Sequence, residues 1–389
     1  MGDIRRIVVS SSILLLQMKN TIPEQALIIG AGFSHYAGLP LQASFTTELL
    51  RGSRFTHGPS KRLVEFLCSY VGDTFHPRTE SDADRWPDLE DLFTTIDISA
   101  NSGHHLGHQH SPAVLRTVRR ALIARAIRML RQCYDDKKNK PDTEWERLEA
   151  LLKNIIPATA GFISLNWDTV AEERMLELHP STTIEYGSNF IAATFPGTGR
   201  QIVGVTPPAD APILRVAKIH GSINWLYCDN CRNVYWFSPR QTLRIADQIL
   251  SKKEWNDISP FAPVNAKKQW TCTTCDSVIL STRIATFSYR KALDFPMFHQ
   301  SWNSAEQLLT GASRWVFIGY SLPAADYEFK YLLKRIELAR PKPPDIILVT
   351  GGDGAAITRN NYRRFFGTRL NKQVFNDGID QNVIDYITS

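Results

Sequence analysis

The sequence lacks the features that would commit it to a membrane, to export or to disorder. A bilayer span needs about 20 consecutive apolar residues, whereas the longest membrane-like stretch, Ile7 to Leu16, is broken by Ser10, Ser11 and Ser12. Arg5 and Arg6 precede it as they would in a signal peptide. Gln17, Met18, Lys19 and Asn20 then stand where a small-residue cleavage site belongs, so a cytoplasmic location is expected. Met18 is an alternative start to Met1, with the residues before it as an upstream extension. Charge of one sign is also scarce. The chain carries 45 Lys plus Arg against 39 Asp plus Glu, and an excess of +6 over 389 residues allows an anionic partner without requiring one. With 22% charged and 43% hydrophobic residues, an unfolded chain is excluded as the main state. The length suits two or three domains, or one large domain with insertions. No internal repeat is present.

Cysteine is sparse, with six in all, and its placement is informative. Cys68 and Cys133 stand alone and read as core or surface thiols. The other four form two C-x-x-C pairs, Cys228/Cys231 and Cys272/Cys275, each presenting two thiolates about one turn apart, as a tetrahedral Zn²⁺ requires. The usual gap between such pairs is about 15 to 20 residues; here it is wider, and scattered reduced cysteines are the competing reading. A four-cysteine site leaves no open coordination position, so a zinc held there is structural.

What is present is a series of short apolar runs: Ala26 to Ile29, Gly161 to Leu165, Arg215 to Ile219, Trp315 to Ile318 and Ile346 to Val349. Continuous runs bounded by Gly, Pro or polar residues suit strands buried on both faces of a parallel sheet. Helical patterns fall between them at Asp88 to Ile98, Ala113 to Tyr134, Thr143 to Asn154, Asp168 to Leu178 and Ala324 to Leu338. The alternation predicts an α/β fold, a Rossmann-like doubly wound parallel sheet with a helical insertion and a small zinc-ribbon-like module. The expected organisation is an N-terminal extension over 1–25 and a nucleotide-binding domain over 26–350. The domain is interrupted by helices at about 42–150 and by the cysteine module at about 225–282. A C-terminal segment, 351–389, packs on the domain or at an oligomer interface. The tract from Ser188 to Pro212, rich in Gly, Pro and Thr, reads as a long loop.

The first strand runs into Gly30-Ala31-Gly32-Phe33-Ser34, with Ala37 and Gly38 following. A strand ending in Gly-Ala-Gly lets the backbone turn sharply and approach a pyrophosphate. The spacing departs from G-x-G-x-x-G, and a plain glycine turn between strand and helix is the alternative. Three further strand ends carry polar residues, where ligands collect in an open α/β sheet. These are Ser164-Leu165-Asn166-Trp167-Asp168, Ile219-His220-Gly221-Ser222 and Gly319-Tyr320-Ser321-Leu322-Pro323.

In their order (glycine loop, Asn-x-Asp, His-Gly, two C-x-x-C pairs, Gly-x-Ser-Leu) these elements resemble the sirtuin family over residues from about 26 to 350. The peptide-binding signature of the family's deacetylases is missing. Leu41, Gln42 and Ala43 stand in place of Asp-Phe-Arg, Leu165 in place of Gln, and Ser277 to Arg283 in place of the Phe-Gly-Glu strand. The pattern is similar to the bacterial anti-phage branch, whose members hydrolyse NAD. Within it, the chain is most like the stand-alone subunit that partners a HerA-type ATPase, which implies a large ring-like homo-oligomer.

The resemblance implies NAD as substrate. Asn166 would orient water or ribose, Asp168 would accept from ribose hydroxyls, and His220 would be the general base. Ser34 and the amides of Ala31, Gly32 and Phe33 would contact phosphates. Gly30, Gly319, Ser321 and Leu322 complete the expected cofactor site. Taken singly, His220 also reads as a buried structural histidine and Asp168 as a helix N-cap.

Two other clusters invite attention. His104, His105, His108 and His110 lie in a Gly/Ser loop, and a metal site there lacks a supporting Asp, Glu or Cys. Arg116, Arg120, Arg128 and Arg131 fall on one side of a helix, opposite Leu115, Val118, Leu122 and Met129. They could face DNA, a partner, a neighbouring subunit or only water. The leading expectation is an NAD glycohydrolase. The alternatives are an NAD-dependent protein deacylase and a DNA-binding or scaffold subunit of the same complex.

Overall fold

The computed structural model describes residues 23–51, 58–76, 86–187, 189–259, 269–278, 296–370 and 373–389. The stretch Ile7 to Leu16, the choice between Met1 and Met18 and most of the extension 1–25 lie outside the described residues. So do residues 279–283 of the segment from Ser277.

Along the chain the elements are β1 (Gln25–Ile29), α1 (Ala31–His35), α2 (Gln42–Leu50), α3 (Gly58–Phe75), α4 (Leu89–Ser102), α5 (Pro112–Asn139), α6 (Thr143–Asn154), β2 (Ala160–Ser164) and α7 (Val170–Leu178). There follow β3 (Thr183–Glu185), β4 (Phe190–Thr194), β5 (Val203–Gly204), β6 (Ile213–Lys218), β7 (Trp225–Tyr227), β8 (Val234–Phe237), α8 (Thr242–Ala246) and α9 (Lys252–Ile258). The last part comprises α10 (Pro296–Gly311), β9 (Arg314–Ile318), α11 (Tyr327–Ala339), β10 (Asp345–Val349), α12 (Ala355–Phe366), β11 (Val374–Phe375) and α13 (Gln381–Thr388).

All five expected strands enter one parallel sheet of seven, in the order β11-β10-β9-β1-β2-β6-β3. Their side chains divide by alternation, as a strand's two-residue period demands. Leu27 and Ile29 of β1, Val316 and Ile318 of β9, and Ile347 and Val349 of β10 enter one apolar core. Ala26 and Ile28, Trp315 and Phe317, and Ile346 and Leu348 enter the core on the opposite face, under α10, α11 and α12. Helices cover both faces, which is why the runs are apolar throughout.

Five helices, α2 to α6, make up the described part of the insertion, with α5 at its centre against α2, α3, α4 and α8. Its start is legible. Ser111 caps the Val114 amide at 3.4 Å, and Pro112 occupies the first turn, where its missing N–H costs nothing.

Two expectations about organisation change. The tract from Ser188 to Pro212 is not simply a loop, because β4 and β5 join β8 and β7 in a second sheet, of order β5-β4-β8-β7. The cysteine module therefore draws on residues well before 225. The main sheet also extends past 350, since β11 pairs with β10. The C-terminal segment packs on the domain: Gln25 Nε2 donates to the Ile387 carbonyl at 2.9 Å and Arg314 to that of Tyr386 at 2.6 Å. Among the described residues no helix is long and apolar enough to cross a membrane.

Candidate active site

From β1 the sheet grows in two directions, through β2, β6 and β3 on one side and through β9, β10 and β11 on the other. In open α/β sheets ligands collect at the carboxyl ends of the strands flanking such a reversal, and here those ends belong to β1 and β9. The glycine loop after β1 and the Gly319 loop after β9 meet there. The Gly30 amide donates to the Ile318 carbonyl at 3.2 Å, and that of Gly32 to the Gly319 carbonyl at 2.8 Å. A Cβ on Gly319 would lie 2.2 Å from the Phe33 nitrogen, and its φ of +61° is one that side-chain-bearing residues avoid. A Cβ on Gly30 would lie 2.7 Å from the Gly319 oxygen. These glycines are thus required by the approach of two backbones to each other. Two of the three amides expected at a phosphate, those of Gly32 and Phe33, are engaged within the chain. The Gly32 amide is taken by Gly319, and that of Phe33 by the Gly30 carbonyl at 2.9 Å.

Ser34 is buried, and its hydroxyl accepts a hydrogen bond from Asn166 Nδ2 at 2.9 Å, joining the first and second strand ends across 132 residues of chain. Ser164 Oγ in turn accepts the Asn166 amide at 3.2 Å. Asp168 accepts the Val170 amide at 3.0 Å from one position before the α7 N-cap, which is Thr169, so it turns the chain into the helix rather than capping it, and it borders a narrow cavity lined also by Arg131, Tyr134 and Glu173.

His220 is 4% exposed. Its Nδ1 lies 3.0 Å from the carbonyl of Leu165. A carbonyl can only accept, so Nδ1 carries the proton and Nε2 is the nitrogen left for acid–base work. Nε2 lies 3.7 Å from Oδ1 of Asp326, at the head of α11. The loops are stitched further where the Ile223 amide meets the Trp167 carbonyl at 3.0 Å. Ser321 is exposed at the end of β9, while Leu322 is buried with φ +53°. Leu322 packs in the core beside α11 and is held in a strained conformation.

Sequence reasoning passes over two polar groups here. The first is Asp326. The second is Lys218, fully buried at the end of β6, with Nζ 3.1 Å from Glu172 and also donating to the Asp168 carbonyl. Burial pushes the Glu172 carboxyl up, against the opposing pull of Lys218. Glu172 accepts from the Tyr186 hydroxyl at 3.2 Å, which itself accepts from Asn224 at 3.1 Å. A lone lysine closing an apolar strand two residues before His220 is the signal that could have exposed this network.

The four cysteines do converge. Their sulfurs lie within 4.8 Å of one another, with Cys228 to Cys275 at 3.6 Å and Cys231 to Cys272 at 3.5 Å. Zn–S bonds of about 2.3 Å in a tetrahedron place sulfurs about 3.8 Å apart, so the donor set and its spacing fit a structural zinc. The two halves are near copies. In one, the Cys228 amide bonds the Asn233 carbonyl at 3.0 Å and the Arg232 amide the Cys228 carbonyl at 2.8 Å. In the other, Cys272 and Ser277 pair at 2.9 Å, and Asp276 and Cys272 at 3.2 Å. Each turn closes with a residue at positive φ, Arg232 at 63° and Asp276 at 56°. Hydrogen bonds from Ser277 and Asn230 hold the Cys275 thiol down to about 6, while burial pushes Cys228 up to about 12.

Three of the stripe's four arginines pair with carboxylates of the same chain, while Arg116 is exposed. Arg120 pairs with Glu254 at 3.2 Å, Arg131 with Glu173 at 2.6 Å and also with Asp135, and Arg128 with Asp247, while Arg116 donates to the Ala100 carbonyl at 3.2 Å. The helix wheel locates the stripe correctly, but α7, α8 and α9 bring carboxylates to it. His104, His105 and His108 are exposed, and His110 packs edge-on against Tyr70. Among the described residues the four cysteines are the one cluster of metal-ligand type.

No protein-family model matches the chain, and no curated protein does. Among solved structures it is similar to a Sir2 enzyme described for mechanism and regulation, at 12% identity, covering 96% of this chain and 94% of that one, with a TM-score of 0.37. It is also similar to a mutant Sir2 homologue in complex with ADP-ribose, at 13% identity with the same coverage and a TM-score of 0.34. A Sir2 protein bound to a propionylated peptide matches at 12% identity, again with the same coverage, and a TM-score of 0.30.

Proposed function

We propose that this chain hydrolyses NAD to nicotinamide and ADP-ribose. The observation that carries the reading is the 2.9 Å bond between Asn166 and Ser34 at the sheet's point of reversal, with His220 at the adjoining strand end. Three motifs remote in sequence lie at neighbouring strand ends, and their order along the chain, which resembles the sirtuins, supports the reading. Cleavage of the nicotinamide–ribose bond passes through an oxocarbenium-like state, and nicotinamide departs without protonation. The chain has to hold the ribose, tolerate developing positive charge and activate water. With Nδ2 committed to Ser34, Asn166 offers Oδ1 as acceptor to a ribose hydroxyl or the attacking water. Nε2 of His220 takes the proton from that water, because Nδ1–H is held by Leu165.

On the sequence resemblance we extend the proposal to an anti-phage role by NAD depletion in the cytoplasm, with a HerA-type ATPase partner and a ring-like homo-oligomer. DNA binding through the arginine stripe is the weaker reading, because Arg120, Arg128 and Arg131 pair with carboxylates of the same chain and Arg116 alone is exposed. Purified protein, alone and with the ATPase, should release nicotinamide and ADP-ribose without any acylated peptide, as read by mass spectrometry. His220→Ala or Asn166→Ala should lower turnover by about 10²- to 10⁴-fold. NAD left intact under both conditions overturns the reading, and turnover strictly dependent on acyl-lysine peptide replaces it with deacylation.

A further inference from the structure

We propose that Asp326 is a positioning residue for His220: its carboxylate, anchored by the Tyr320 hydroxyl, faces Nε2 and stabilises the imidazolium formed when that nitrogen takes a proton, drawing the charged ring toward the head of α11, while Nδ1–H on the Leu165 carbonyl orients the neutral ring. The proposal rests on the reading of His220 as the base and deepens it.

Asp326 occupies the N-cap of α11, where a carboxylate ordinarily accepts an amide of the first turn, yet its side chain makes no such bond. Its Oδ2 accepts from Tyr320 Oη at 2.9 Å, and its Oδ1 faces His220 Nε2 at 3.7 Å. Both residues are buried, Asp326 at 7% and His220 at 4% exposure, so little water screens them. Burial and the neighbouring carboxylate hold the Tyr320 hydroxyl well above its ordinary pKa, which keeps it a donor throughout the working range.

The loop that aims Asp326 is determined several times over. Gly319 and Leu322 both have positive φ, Tyr362 Oη donates to the Tyr320 carbonyl at 3.0 Å, and Asn361 donates to that of Ser321 at 3.0 Å. Strained backbone persists where its surroundings hold it, and here the result is a carboxylate directed at a histidine. Other titratable groups among the described residues bear on the pair. Glu90, at the head of α4, feels the Asp326 charge and is pushed up by burial. Lys218, two residues before His220, is committed to Glu172.

The test is the NMR titration of the His220 imidazole in the full-length protein without NAD, alongside NAD turnover against pH. Wild-type His220 should titrate above about 6.5, the ordinary histidine value, and Asp326→Asn should lower that by about one unit or more. The acidic limb of kcat should move down by the same amount, with kcat reduced and KM for NAD unchanged. Asp326→Glu, which keeps the charge, should restore part of the titration shift. An unchanged His220 titration in a folded Asp326→Asn protein overturns the proposal. So does a wild-type His220 titrating at or below the ordinary value, should that variant fail to fold. A titration shift in a protein that leaves NAD intact supports the Asp326 contact and removes the hydrolase reading instead.

Discussion

Between Cys228 and Ser277 the chain makes one small turn twice, with the same pair of backbone hydrogen bonds and a left-handed closing residue each time, Arg232 and Asp276. Between Ser34 and His220 it makes nothing twice; four unlike loops meet because the strands before them are neighbours in a sheet. The cysteine module is local geometry repeated, and its cohesion depends on what four thiols can bind together. The strand-end site is long-range geometry, held by backbone packing and by buried pairs that remain whether or not a ligand is present. Loss of metal should therefore damage the first and spare the second, and changes at the strand ends should do the reverse.

The largest effect expected is on the module. Structural zinc contributes an apparent 10–16 kcal/mol or so in small zinc peptides. Chelation or Cys272→Ser should thus release metal and open the 225–282 region to protease while the parallel sheet keeps its far-UV signal. A chain that purifies metal-free, with all four thiols reactive and the region still protected, would break the comparison.

Next comes the floor of the strand-end site. Lys218→Met leaves Glu172 buried beside Tyr186 without its cation, which should cost about 3–5 kcal/mol in urea unfolding. Removing both charges with Lys218→Met and Glu172→Leu should recover part of that. Equal losses in the single and double variants would show that the pair is not the supporting element.

Smaller again is Gly319→Ala. The left-handed backbone alone accounts for about 1–3 kcal/mol, and contact with Phe33 adds to it. The melting temperature should fall and NAD turnover with it, because the two loops can no longer close on each other; an unaltered melting temperature would refute the backbone argument.

The smallest effect belongs to the arginine stripe. Arg120→Ala removes a partly exposed pair with Glu254, worth under about 1 kcal/mol. It should leave any salt-dependent DNA binding unchanged, whereas weakened binding would return the stripe to the surface.

How much of this was legible varies with how local the cause is. The five central strands read directly because a parallel strand covered on both faces must be apolar throughout. The short edge strands β3 and β11 carry too few residues to show a pattern. β4 and β5 were hidden in a tract whose Gly, Pro and Thr content signals a loop. The arginine stripe was placed on the correct face of α5, but a helix wheel does not say which elements cover that face. Asp326 looked like one more residue at the start of a helix, since nothing in its neighbourhood of sequence points to a histidine over a hundred residues earlier.

Spacing and periodicity pointed to the four-cysteine ligand set and the central strands, because each depends on residues within a turn or a strand of one another, whereas Ser34, Asn166 and His220 were singled out by strand-end position together with the sirtuin resemblance. Which amides of the glycine loop are already engaged, which carboxylates meet the arginines and which one faces His220 depend on strand order and on the paths of loops such as Gly319 to Asp326. Those follow from packing between segments distant in the chain, where the energetic terms are long-range and leave no local periodicity to read.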